Sequence, residues 1–236
     1  TSLTQLLEES FRKHANRPFS VCMERWMTYR QLDELSKSLA AWLQACGLEP
    51  GARGAIMLPN VPQFAVAMAA VLRAGYTCVN VNPLYTAREL EHQLKDSGAE
   101  AIVILENFCH TLEQAIAGTR VRHVVVASMG DLLGTLYGQW ITFAVRHLAK
   151  MVPAYRLPLS DGRQVTTFVD ALRDGSRSSL KPAAQSLDSV AFLQYTGGTT
   201  GLSKGAVLTH RNIVAAILQA GAWFTPALGR AGDVSQ

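Results

Sequence analysis

Short apolar runs alternate with longer amphipathic ones along much of this chain, and that alternation restricts the fold more than any single residue does. Gly54-Ala55-Ile56-Met57-Leu58 reads as a buried strand, with Pro59-Asn60 as the turn after it. Pro62 falls in the first turn of a helix that reaches about Arg73, where proline is tolerated, and Gly75 stops it. Thr77 to Val81 is the next strand and Glu89 to Leu94 the next helix. Ile102 to Leu105 is a strand, Leu112 to Ala117 helical, and Val121 to Val126 a strand again. Repeats of this kind build a parallel sheet with right-handed crossovers, and ligands of such sheets bind beyond the carboxyl ends of the strands. Ahead of them, Leu3, Leu6, Leu7 and Phe11 mark an amphipathic helix, and Pro18–Cys22 pairs with Trp26–Tyr29 as a hairpin. Thr28, with Gln31 three residues on, starts a helix that ends at Gly47. The expected fold class is therefore α/β, with layered, mostly parallel β-sheets flanked by helices. Residues 1–180 are expected to form a first subdomain, its sheet built by about residues 30–128. Residues 181–236 begin a second, with the strand at Ser189.

The chain of 236 residues carries a formal charge of +4, with Lys and Arg spread rather than clustered. A nucleic-acid partner would want a dense basic face, so none is expected. Cys22, Cys46, Cys78 and Cys109 lie far apart with no CxxC, which removes the usual metal spacing and a disulfide framework. A reducing cytoplasm fits, and each cysteine reads as a small apolar residue. Arg173 to Ser179 reads as a flexible linker.

One stretch departs from these patterns. After the apolar run Ser189–Tyr195 come Thr196, Gly197, Gly198, Thr199, Thr200 and Gly201, then Leu202, Ser203, Lys204, Gly205 and Ala206. Glycines let backbone N–H groups turn toward an anion, threonine hydroxyls add donors and metal ligands, and lysine adds a mobile charge. The stretch suits a polyphosphate, although a Gly/Thr-rich turn is also what an ordinary hairpin needs. Walker spacing fails because Lys204 lies between Ser203 and Gly205, and no G-x-G-x-x-G occurs here.

A second stretch, Leu132 to Val145, carries no charge, and Arg146, His147, Lys150 and Arg156 follow it. It is shorter than the roughly 20 residues of a spanning helix. With Tyr137 and Trp140 as interfacial aromatics, it reads as a helix lying on a membrane surface or packed on its own domain.

Tyr195-Thr-Gly-Gly-Thr-Thr-Gly-x-x-Lys-Gly, followed by Leu208-Thr-His-Arg-Asn212, resembles the phosphate-binding signature of the adenylate-forming enzymes. These include acyl-CoA synthetases, luciferases and peptide-synthetase adenylation domains. Val79 to Thr86 with Glu89-Leu90, and the Met129–Pro158 insert, narrow the resemblance to bacterial long-chain fatty acid–CoA ligases. The resemblance implies ATP, Mg²⁺ and CoA, a fatty acid substrate, a cytoplasmic protein with peripheral contact at the inner membrane surface, and leaves a homodimer open. It implies binding of the nucleotide by Tyr195, Thr196, Gly197, Gly198, Thr199, Thr200, Gly201, Leu202, Ser203, Lys204, Gly205 and Ala206. Within that set Lys204 and Thr196 carry the catalytic roles and Thr196 is the metal contact. His210 reads first as structural, though in the family a residue after this loop approaches the acyl site. Trp223 and Phe224 read as acyl-tunnel lining or core. Segments that the family needs downstream are missing from these 236 residues, so a longer parent is expected, with this piece inactive alone. A medium-chain or aryl acid–CoA ligase, or a fragment that only binds membrane or acyl chain, remain the alternatives.

Overall fold

The computed structural model describes residues 2–157, 162–196 and 203–231, with side chains as far as Phe224. Its elements run α1 (Leu3–Lys13), β1 (Pro18–Cys22), β2 (Arg25–Thr28), α2 (Tyr29–Ala45), β3 (Arg53–Met57), α3 (Pro62–Arg73), β4 (Thr77–Asn80), α4 (Ala87–Ser97) and β5 (Ala101–Leu105). After these come α5 (Cys109–Ala115), β6 (His123–Ala127), α6 (Thr135–Phe143), β7 (Gln164–Thr167), α7 (Phe168–Gly175), β8 (Val190–Thr196), β9 (Lys204–Thr209) and α8 (His210–Ala231).

The starts of these helices follow from their sequence. Thr28 accepts from the Gln31 N–H while Gln31 reaches back, as its spacing predicts, and Ser2–Gln5 and Thr86–Glu89 repeat the device on α1 and α4. Pro62 stands in the first turn of α3, and α2 and α3 end two residues before Gly47 and Gly75.

Seven strands form one sheet in the order β7-β6-β5-β3-β4-β8-β9, and β1 pairs with β2 as a separate hairpin. Every pairing in the large sheet is parallel except β8 with β9. Successive side chains of a strand point to opposite faces, and the two cores divide accordingly. Ile56, Cys78, Val103 and Val125 pack beneath α1, α2, α3 and α7. Ala55, Met57, Val79, Ile102, Ile104 and Val124 pack against α4 and α5.

Arg73 ties the first of these layers together. Its side chain is buried and meets Asp33 at 2.8 Å and Glu8 at 3.2 Å, while it also donates to Ser36 Oγ. Three helices thus share one buried cation.

The sheet corrects the sequence reading in three places. The strand from Ser189 was expected to begin a second layer, but β8 adds to the first sheet beside β4, Cys78 opposite Phe192. Its inward residues Ala191 and Phe192 complete the same apolar core. No strand was read between Val126 and Ser189, yet Gln164 starts β7, paired with His123 of β6. Four residues, Gln-Val-Thr-Thr, are too few to show a period, and the pairing comes from the neighbouring strand. Arg173–Gly175, expected as linker, completes α7, which Thr167 caps by accepting from the Asp170 N–H.

Candidate functional site

β4 and β8 lie far apart in sequence and finish side by side. Asn80 pairs with Gln194 in parallel register, and Asn80 Nδ2 donates to Gln194 Oε1 at 3.0 Å. β8 then runs on through Tyr195 to Thr196. β9 returns antiparallel, with Lys204 opposite Thr196, Gly205 opposite Tyr195 and Ala206 opposite Gln194. An exposed hydroxyl and an exposed ammonium therefore face each other across the mouth of the turn, at the carboxyl end of a parallel strand. Lys204 makes no ion pair among the described residues. Gly197, Gly198, Thr199, Thr200, Gly201 and Leu202, expected to cradle the anion, lie outside the described residues.

The turn is backed by α4. Tyr195 is buried, and its hydroxyl donates to Asp96 Oδ2 at 2.6 Å. Burial first, then Asp96, pushes the phenol well above its ordinary range, so it stays a donor. The ring lies beneath Gly205, where an added Cβ would sit 3.0 Å from two ring carbons. Glycine is what lets the two strands close over this tyrosine. On the other leg, His92 Nε2 lies 3.3 Å from the Ser203 carbonyl oxygen. Gln93 Nε2 donates to the Asn80 carbonyl at 2.8 Å. The segment between β4 and α4 is a tight turn: Asn82 accepts from the Leu84 N–H at 3.0 Å and from the Tyr85 N–H at 3.1 Å.

His210 is structural. It is fully buried, and its Nδ1 accepts from the Leu3 N–H at 3.2 Å, which joins α8 to α1. Burial lowers its pKa and keeps the ring neutral. Trp223 and Phe224 are 81% and 56% exposed, so neither packs in the core of the described residues.

The insert after β6 meets the same carboxyl edge of the sheet. α6 passes directly into a π-helical turn, Ala144–Leu148. From that turn Arg146 pairs with the buried Glu106, the residue after β5, at 2.6 Å and donates to Ser128 Oγ. Asn107 Nδ2 donates to the Met151 carbonyl at 3.0 Å. Facing solvent are Leu136, 84% exposed, and Trp140, 58% exposed, with Phe143, Leu148 and Met151. No described helix is long and apolar enough to cross a membrane.

Asp131, which accepts from the Ser128 N–H at 2.7 Å, is pushed up to about 6 by burial first and by Glu106 as well. A carboxyl raised in the fold stabilises it most below the unfolded value, and that contribution is lost as pH rises through about 6. Asp131→Asn is therefore expected to gain about 2 kcal/mol relative to the parent between pH 4 and pH 8. Urea unfolding at the two pH values checks this, and a constant difference would contradict it.

A family model described as AMP-binding enzyme matches residues 7–234. The chain belongs to that family. This AMP-binding chain is 47% identical over 228 residues to the long-chain-fatty-acid–CoA ligase of Escherichia coli O157:H7, covering 96% of this chain and 40% of that protein. Against the ligase of the same name from Salmonella typhimurium it is 48% identical over 229 residues, with the same coverage. The chain thus spans about two-fifths of the length of these relatives. Among solved structures, a long-chain-fatty-acid-CoA ligase (FadD1) from Archaeoglobus fulgidus superposes with a TM-score of 0.68 at 24% identity, covering 93% of this chain and 39% of that one. The anthranilate CoA ligase AuaEII gives 0.69 at 20% identity, covering 89% and 35%. Those likenesses show that the AMP-binding chain has the fold of adenylate-forming enzyme domains.

Proposed function

We propose that the protein carrying this chain activates a long-chain fatty acid with ATP and passes the acyl group to CoA. A carboxylate oxygen attacks the α-phosphorus, and the bond to pyrophosphate breaks. The CoA sulfur then attacks the acyl carbon, and the bond to AMP breaks with loss of the thiol proton. The observation that carries this reading is Lys204, without an ion pair among the described residues, opposite Thr196 where β8 and β9 pair, in a chain so similar to two long-chain ligases. Lys204 would neutralise the departing pyrophosphate, and preorganised charge of this kind lowers the barrier to phosphoryl chemistry. Thr196 offers one neutral oxygen. Among the described residues no group of three His, Cys, Asp or Glu gathers to hold a metal. Mg²⁺ would be held here on the nucleotide phosphates, with the Thr196 hydroxyl as an added oxygen donor.

Full-length protein with ATP, Mg²⁺, CoA and a series from octanoate to palmitate, plus benzoate, tests the substrate class. The expected order of kcat/KM has palmitate first, and a preference for benzoate would move the reading to an aryl acid ligase.

We also propose that the insert rests on an anionic membrane surface. The exposed Leu136, Trp140 and Phe143 supply apolar area, with His147, Lys150 and Arg156 close behind in sequence. Co-sedimentation with phosphatidylglycerol vesicles should drop at least about fivefold in Trp140→Ala/Phe143→Ala. Unchanged binding would contradict the contact.

A further inference from the structure

We propose that α4 holds the nucleotide-binding hairpin in register, with His92 and Asp96 as positioning residues for its two legs. The inference rests on the reading of that hairpin as the ATP site. His92 and Asp96 are four residues apart, so they share one face of α4 a turn apart. Asp96 takes the Tyr195 hydroxyl on the β8 side at 2.6 Å, and His92 takes the Ser203 carbonyl on the β9 side at 3.3 Å. A carbonyl oxygen can only accept, so His92 carries its proton on Nε2. Gln93, between them, reaches the end of β4, and Asn80 passes the contact on to Gln194 of β8. One helix therefore touches β8, the residue leading into β9, and β4.

The helix is itself fixed. Thr86 and Glu89 cap its start, and Leu90 and Leu94 are fully buried beneath it. A chain segment loses conformational entropy when its ends are fixed around a ligand. Fixing both legs in advance reduces that loss, so the brace acts on ATP binding. Its side-chain contacts are to the legs of the hairpin and to β4.

The test uses full-length protein carrying His92→Ala, His92→Gln, Asp96→Ala, Asp96→Asn, Tyr195→Phe and the Asp96→Ala/Tyr195→Phe pair. KM for ATP should rise about tenfold in His92→Ala and in Asp96→Ala, with KM for palmitate within about twofold. Gln keeps an N–H donor and Asn keeps an acceptor, so both should recover most of the ATP affinity. The double variant should be no worse than Asp96→Ala alone, because both changes remove one hydrogen bond. Equal rises in both KM values, or no recovery by Gln and Asn, would overturn the proposal. Hydrogen exchange without nucleotide separates this from the ATP reading. Peptides covering 190–209 should exchange faster in the two alanine variants whether or not the protein uses ATP, and unchanged exchange would overturn the brace by itself.

Discussion

Lys204→Ala in the full-length protein is expected to slow adenylate formation by about 10²–10³, the usual cost of removing one preorganised charge from a developing anion. The ammonium is exposed, has no ion pair among the described residues, and starts β9 opposite Thr196. No ion pair among the described residues is lost with it, so stability should hold. The rate is read as palmitate-dependent exchange of labelled pyrophosphate into ATP, and palmitate KM should stay within about twofold. Equal loss in both quantities would make Lys204 a general binding residue and not a pyrophosphate partner. Thr196→Ala should cost far less, about tenfold, because it removes one neutral hydroxyl.

Gly175→Ala should be among the most damaging small changes to the fold. Gly175 closes α7 where that helix crosses α2. A Cβ there would fall on the Ser38 carbonyl oxygen, 2.7 Å from the Ser38 carbonyl carbon and 3.0 Å from Trp42 Cβ. Backbone cannot rotate away as a side chain can, so α7 must lift and uncover Phe168 and Ala171, both fully buried. The expected cost is about 3 kcal/mol, measured by urea unfolding. Gly221→Ala is the control: a Cβ at that position of α8 meets nothing within 4 Å, and it should be neutral or slightly stabilising. Equal effects from the two substitutions would show that the α2–α7 crossing is not close packed.

Much of this was legible in the chain. The buried strands of the sheet centre, Gly54–Leu58, Thr77–Val81 and Ile102–Leu105, announce themselves because both faces are covered and the runs are largely apolar. The capping pair Thr28–Gln31 and the stop at Gly75 are local chemistry, and local chemistry can be read locally. β7 and the place of β8 were not legible, since a strand's neighbours are chosen by long-range pairing. At the site, the Gly/Thr-rich turn and Lys204 stood out through composition. His92 and Asp96 did not, because polar residues on an ordinary amphipathic helix carry no sign of what they face. Only the fold, which brings α4 against both legs of a hairpin about a hundred residues later, gives them a role.

The central claim is that the carboxylate of a fatty acid attacks the α-phosphate at this hairpin. Palmitate labelled with ¹⁸O in its carboxylate, turned over by the full-length protein with ATP and CoA, tests it most directly. Attack at the α-phosphate leaves one labelled oxygen in AMP, because thioester formation breaks the acyl carbon–oxygen bond. Label appearing in inorganic phosphate, with ADP as product, would mean an acyl phosphate route and would contradict the account.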